Sequence, residues 1–107
     1  MRNIFENEYK RFYLLNFTGP DFRFNGALVS SAERPETDDD EGRGFFLYIT
    51  KGGSFVCHKT QIIYNSMTGS DLKICDSIEQ VKEFFWYKEL AKKLYSDASI
   101  CFTEDIE

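Results

Sequence analysis

The only histidine of the chain, His58, directly follows a cysteine, Cys57. A thiol and an imidazole can act as a nucleophile and its base when the two groups come within hydrogen-bond reach. The surrounding segment, "SFVCHKT", predicts a β-strand, and neighbouring residues on a strand point to opposite faces. We therefore expect no Cys–His dyad, and we interpret His58 as a structural histidine.

Other residue types that could do chemistry lack the spacing it needs. The chain has three cysteines, Cys57, Cys75 and Cys101. Their odd number and wide spacing argue against a disulfide framework and against zinc, which usually requires close pairs such as Cys-x-x-Cys. An EF-hand that began at Asp38 would have Gly42 at position 5 and Ile49 at position 12, where oxygen ligands are required. The sequence predicts no metal, no cofactor and no enzymatic activity.

The acidic residues are concentrated in one short segment. Six of them lie between residues 33 and 41: Glu33, Glu36, Asp38, Asp39, Asp40 and Glu41. With Arg34 this segment carries a charge of −5, which equals the net charge of the whole chain. A basic face for nucleic acid or for an anionic membrane is therefore not expected. Two interpretations remain: a solvated connection that aids solubility, or a patch that steers a basic protein partner.

Two aromatic residues are candidate anchors for such a partner. On a helix through residues 77–96, Trp86 lies about 200° round from Phe84, opposite the apolar stripe. An exposed tryptophan is typical of interface hot spots, although another part of the chain could equally cover it. Tyr64 is the second candidate. The predicted partner-binding surface comprises the six acids, Trp86 and Tyr64.

The 107 residues suffice for one domain, residues 1–107, with a single core. No apolar run approaches the roughly 20 residues that span a bilayer, and the first residues lack a signal-type apolar core. Reduced thiols in a cytoplasm are the simplest interpretation.

The pattern of apolar residues predicts the elements. Residues 3–17 favour a helix that ends before Gly19 and Pro20, although the aromatic run of residues 12–17 could be a strand instead. Strands are expected at "DFRFNGALVSS", with Gly26 as a bulge, and at "GFFLYIT", "SFVCHKT", "QIIYNS" and "DLKICD". If Gly52-Gly53 is a two-residue turn, His58 shares a sheet face with Leu47.

Residues 77–96 predict a long C-terminal helix. Ser77 can cap it, and Gln80 can close a capping box. Its apolar stripe consists of Val81, Phe84, Phe85, Tyr87, Ala91, Leu94 and Tyr95. The predicted fold is α+β: an antiparallel sheet of about five strands, packed by this long C-terminal helix and by the shorter N-terminal one.

A small acidic chain with the run "ETDDDE" and no catalytic motif resembles the immunity proteins that neutralise bacterial toxins, including those of contact-dependent inhibition systems. The resemblance is to a class of proteins and not to a signature sequence. It implies a bacterial protein that binds a cognate basic toxin, often a nuclease, and blocks its active-site cleft. We expect the protein to be cytoplasmic and a monomer.

Two alternatives are open. A phage-type mimic of nucleic acid would spread acids over a whole face, whereas here they occupy one segment. A small-ligand-binding or enzymatic domain would use a cleft between sheet and helix, and a buried polar cluster around His58 beside an open cavity would favour it.

Overall fold

A computed structural model describes residues 9–86 and 88–101. Its elements are β1 (Lys10–Leu14), β2 (Phe22–Arg34), β3 (Gly42–Thr50), β4 (Phe55–Ile63), β5 (Ser66–Cys75), α1 (Ile78–Phe85) and α2 (Glu89–Asp97). The strands form one antiparallel sheet in the order of the chain, so each strand pairs with the next through a hairpin.

The fold is mostly β, a five-stranded half-barrel with two short helices, and the α+β prediction is wrong. Of the predicted N-terminal helix, residues 3–8 lie outside the described residues, and Lys10–Leu14 is strand β1. Pairing with β2 decides this, because it places the ring of Phe12 5.3 Å from that of Phe24 and 4.9 Å from that of Tyr48.

The predicted C-terminal helix is broken into α1 and α2. Ser77 caps α1 as predicted, accepting a hydrogen bond from the Gln80 N–H, while the Gln80 side chain accepts one from the Asp76 N–H at 2.8 Å. Trp86 ends α1 with a φ of 60°, a left-handed conformation that no continuous helix contains. The chain then restarts as α2 after Lys88.

Despite the break, the helices bury most of the predicted stripe. Val81, Phe85, Ala91, Leu94 and Tyr95 are buried against the sheet, Phe84 is half-buried, and Tyr87 lies outside the described residues. On the sheet side, this core contains Phe45, Leu47 and Cys57. Ser30 of β2 holds α2 against the sheet by donating a hydrogen bond to the Leu94 carbonyl at 2.9 Å.

Two hairpins differ from the prediction in length or position. The β3–β4 turn is longer than two residues: Ile49 pairs with Phe55, and the Thr50 N–H donates to the Ser54 carbonyl. The β4–β5 turn lies at Tyr64 and Asn65, both with positive φ, so the residues "MTGS" between the two predicted strands "QIIYNS" and "DLKICD" are part of β5.

The longer β3–β4 turn changes the face on which His58 lies. His58 pairs with Phe46 and shares its face with Tyr48, whereas Leu47 faces the helices. The predicted placement beside Leu47 is therefore wrong, because a one-residue change of register moves every side chain to the other face.

The second face of the sheet is concave. The segment after β1 reaches across it to β5, where the Phe17 N–H donates to the Ser70 carbonyl at 2.7 Å. Such a bond between opposite ends of the sheet shows that the strands curl toward closure. The bulge of β2 lies between Leu28 and Ser30, not at Gly26 as predicted.

Candidate functional site

Residues 35–41 join β2 to β3 and are called here the acidic loop. Glu36 fastens this loop to the neighbouring β4–β5 turn: its carboxylate accepts hydrogen bonds from the backbone N–H groups of Tyr64 and Asn65, the latter at 3.0 Å. Both turn residues have a left-handed φ, and their N–H groups converge on one carboxylate. The loop is therefore anchored at one end of the sheet.

Two further acids of the segment are also paired within the chain. Asp40 lies 3.4 Å from Arg34 and accepts the Glu41 N–H at 2.9 Å. Glu41 accepts hydrogen bonds from Gln61 and from Arg43. The Gln61 bond, followed by that of Arg43, holds the pKa of the Glu41 carboxyl below its ordinary value. These two carboxylates stiffen the ends of the loop.

The other three acids are exposed. The carboxylates of Glu33, Asp38 and Asp39 form no ion pair or hydrogen bond with any described residue. Glu33 belongs to β2, while Asp38 and Asp39 line a shallow depression together with Tyr64, whose side chain is 90% exposed. With Arg34 and Arg43 counted, residues 33–43 carry a charge of −4.

Trp86 is the predicted anchor on the helix side. Its side chain is 61% exposed, while residues 1–8 and 102–107, parts of the N-terminal segment and the C-terminal tail that could cover it, lie outside the described residues. Its carbonyl accepts a hydrogen bond from the Tyr95 hydroxyl at 2.6 Å, which fixes the junction between the helices. It does not line the depression that holds Tyr64, so the predicted surface divides into two patches.

Cys57 and His58 lie on opposite faces of β4. Cys57 is buried under the helices with its Sγ 3.6 Å from that of Cys75, and burial raises the pKa of both thiols. A protonated, buried thiol is a poor nucleophile. The predicted separation of this pair is confirmed. Cys101, the third cysteine, is exposed.

His58 belongs to a buried polar chain on the concave face. Its Nε2 lies 2.7 Å from the Ser70 Oγ, which lies 2.6 Å from the Leu15 carbonyl oxygen. His58 also lines an open cavity of about 570 Å³ inside the curled sheet. A polar cluster beside an open cavity is thus present, but on the face opposite the helices and not in a cleft between sheet and helix.

Lowering the pH from about 7 to about 5.5 is expected to reduce the free energy of unfolding through His58. Burial lowers the pKa of His58 below its ordinary 6.5, and Asp71 opposes the shift. The unfolded chain then binds the proton more readily, so this stability is complete above pH 6.5 and is lost as the pH falls below it. The limiting slope is about 1.4 kcal/mol per pH unit.

Urea unfolding at several pH values measures this slope. His58→Gln is the control, since it removes the only imidazole of the chain and should flatten the dependence in this range. Equal slopes in the two proteins would contradict the prediction.

Sequence reasoning missed the roles of Glu36 and Ser70. Ser70, Leu72 and Ile74 alternate in "SDLKI", and this period would have marked Ser70 as inward-facing had the preceding turn been located at Tyr64 and Asn65. No local signal marks Glu36 as the residue that binds the turn, because its partners lie 28 and 29 positions away.

Comparison with protein-family models, with curated proteins and with solved structures finds no match for this chain. Within residues 9–86 and 88–101, no group of three or more histidine, cysteine or acidic side chains could hold a metal ion. Over the same residues, neither helix is long and apolar enough to cross a membrane.

Proposed function

We propose that this chain is an immunity-type protein that binds and neutralises a basic toxin domain through the acidic loop and Tyr64. The observation that carries the proposal is the binding of the Glu36 carboxylate to the β4–β5 turn. It holds Asp38 and Asp39 beside an exposed aromatic ring, and acidic groups around a central aromatic anchor suit a cationic protein surface.

Internal pairing narrows the contact set. Glu36, Asp40 and Glu41 are used within the chain, so in this proposal they fix the shape of the loop. In this proposal, Glu33, Asp38 and Asp39 are the acids that contact the partner directly. Because residues 33–43 still carry −4, the field at this end of the sheet attracts a basic partner.

Tyr64 supplies the apolar part of the proposed contact. Its ring is 90% exposed on a turn whose backbone is fixed by Glu36. A side chain on a rigid turn loses less conformational freedom on binding than one on a mobile loop, so more of its burial appears as affinity. Trp86, on the helix side, would add a second anchor for a partner large enough to reach both patches.

The remaining parts of the proposal follow from the same interpretation. The protein would act in the bacterial cytoplasm as a monomer without catalytic activity, and the partner would be a toxin, with a nuclease as the expected kind because its cleft is built for phosphates. Asp38 and Asp39 would occupy that cleft in place of phosphate groups.

Replacing Asp38 and Asp39 with asparagine is expected to slow association with the toxin about ten-fold at low salt and to flatten its salt dependence. The partner is found by co-expressing this chain with the product of each neighbouring reading frame and scoring growth. Stopped-flow mixing with the purified toxin then measures the association rate.

The matched control is Glu83→Gln with Asp97→Asn, which removes two exposed carboxylates from the helices. It should leave the rate within about two-fold of the wild type, because its charges lie away from the proposed contact. A wild-type rate in the Asp38/Asp39 variant would rule out the acidic loop as the contact. If no co-expressed product is neutralised, the immunity function itself is contradicted.

A further inference from the structure

The concave face of the half-barrel contains the cavity of about 570 Å³. Its walls include Phe46, Tyr48, His58, Thr60, Ile62 and Met67. This volume lies within the range of small-molecule sites, roughly 300–1,000 Å³. The lining is also typical of such sites, since it combines aromatic and aliphatic walls with a few polar groups. The rim of the cavity also includes Glu33 and Glu36 of the acidic surface proposed above.

The hydrogen-bond chain at Ser70 fixes the tautomer of His58. The Ser70 hydroxyl has one hydrogen, and the Leu15 carbonyl, 2.6 Å away, can only accept it. Ser70 must therefore accept at its other contact, so the Nε2 of His58, 2.7 Å away, carries a hydrogen and donates it. Burial keeps the ring neutral by lowering its pKa. The second ring nitrogen, Nδ1, is then a bare acceptor.

That acceptor has no partner. His58 is only 6% exposed, and its Nδ1 is the one buried side-chain nitrogen or oxygen atom of the described residues without a hydrogen bond. Leaving a buried acceptor unpaired costs free energy. Because His58 lines the cavity, a ligand there whose donor reached Nδ1 would recover that free energy. The imidazole thus defines one feature of a ligand, a hydrogen-bond donor.

The rim and the walls of the cavity indicate the charge and the shape of the ligand. Among the charged side chains around the cavity, Arg34 and Arg43 are paired with acids, and Glu36 is bound to the β4–β5 turn. Glu33, the fourth charged residue around the cavity, is exposed and has no partner among the described residues, and its negative charge disfavours an anionic ligand. The aromatic walls formed by Phe46 and Tyr48 suit a flat ring, which would stack or pack edge-on against them.

We propose that the concave cavity binds a small aromatic molecule that carries no negative charge and whose O–H or N–H group donates a hydrogen bond to the Nδ1 of His58. The hydroxyl of Tyr48, which forms no hydrogen bond to the described residues, is a second polar contact available on the same wall. The cavity borders the acidic loop at Pro35 and Glu36, but His58 and Tyr48 lie outside the loop, so the proposed contacts can be present whether or not a toxin is the partner.

The test uses a matched pair of probes, 2-naphthol and 2-methoxynaphthalene, which differ in the hydrogen-bond donor. Calorimetric titration of the full chain is expected to show 2-naphthol bound about ten-fold more tightly, the effect of one net hydrogen bond. In His58→Phe the two probes should bind alike. Equal binding of both probes by the wild type, or no binding of either, would overturn the proposal.

A second measurement requires no variant. Because His58 is the only histidine, the ¹⁵N resonances of its ring are unambiguous in spectra of the labelled wild-type protein. We expect a protonated Nε2 and a bare Nδ1 in the free protein, with the Nδ1 signal shifting when 2-naphthol is added and staying in place with 2-methoxynaphthalene. The opposite tautomer, or 2-naphthol binding without a shift at Nδ1, would contradict the site. A concentration-dependent dimer that binds neither probe would assign the face to a second copy and also overturn the proposal.

Discussion

Replacing Tyr95 with alanine is expected to destabilise the protein by about 4 kcal/mol, the largest effect of any substitution predicted for this chain. Tyr95 is a completely buried residue of α2, and its hydroxyl donates to the Trp86 carbonyl at 2.6 Å. The variant loses the burial of a large ring, leaves a cavity, and removes a bond that joins the two helices. Small domains are stable by only roughly 5–15 kcal/mol, so much of the population would unfold near body temperature.

Urea unfolding followed by circular dichroism measures this change. Tyr64→Ala is the matched control: it removes the same side chain from a site that is 90% exposed, and it should change the free energy of unfolding by less than about 0.5 kcal/mol. Tyr95→Phe should lie between the two, near 1 kcal/mol, since it removes only the hydrogen bond. A wild-type midpoint for Tyr95→Ala would mean that α2 is not part of the cooperative core.

Gly26→Ala is expected to destabilise the protein by about 3 kcal/mol, although alanine normally stabilises an extended strand relative to glycine. Gly26 is the position where β2 pairs with both β1 and β3. A Cβ atom at this residue would lie 2.2 Å from the Ile49 carbonyl oxygen and 3.1 Å from the Phe24 ring. The first contact is with backbone, which cannot rotate away, so the strand itself must shift.

Gly52→Ala is the control for this prediction. Gly52 lies in the β3–β4 turn, outside the positive-φ region, and the nearest atom to its added Cβ is the Thr50 Oγ1 at 3.8 Å. Thermal unfolding should show little change for Gly52→Ala and a clear drop for Gly26→Ala. Equal melting temperatures would refute the close approach of β2 and β3 at Gly26.

The two binding proposals can be tested independently. Asp38 and Asp39 do not line the concave cavity, and His58 is not part of the acidic loop. A loss of toxin association in the loop variant with unchanged 2-naphthol binding would locate the partner surface outside the cavity. Loss of 2-naphthol binding in His58→Phe with unchanged toxin association would show that the cavity functions without the loop.

The apolar face of the two helices was predictable because it depends on residues that lie close together in the sequence. Val81 and Phe85 are four positions apart, and Leu94 and Tyr95 follow Ala91 by three and four positions. All five residues are buried in the protein. The cap at Ser77 depends on a residue three positions away. The break at Trp86 was not predicted, since an unusual φ at one non-glycine residue leaves the apolar period almost unchanged.

The proposed partner-binding surface was predictable only in composition. The concentration of acids between residues 33 and 41 is a fact of the sequence. The sequence does not show which carboxylates are free, because the partners of Glu36 and Glu41 lie on β4 and in the turn after it. Half of the predicted acids therefore serve the shape of the loop.

Sequence by itself determined the properties that depend on residues close together in the chain: the charge of one connection, the apolar side of the terminal helices, and the opposite orientations of Cys57 and His58. Tertiary structure decided which face His58 occupies, that Lys10–Leu14 is a strand, and that Ser70 completes a buried chain with Leu15. The physical reason is pairing. Strand identity and register depend on hydrogen bonds and ring contacts between distant segments, and one residue more in a turn reverses the face of everything that follows.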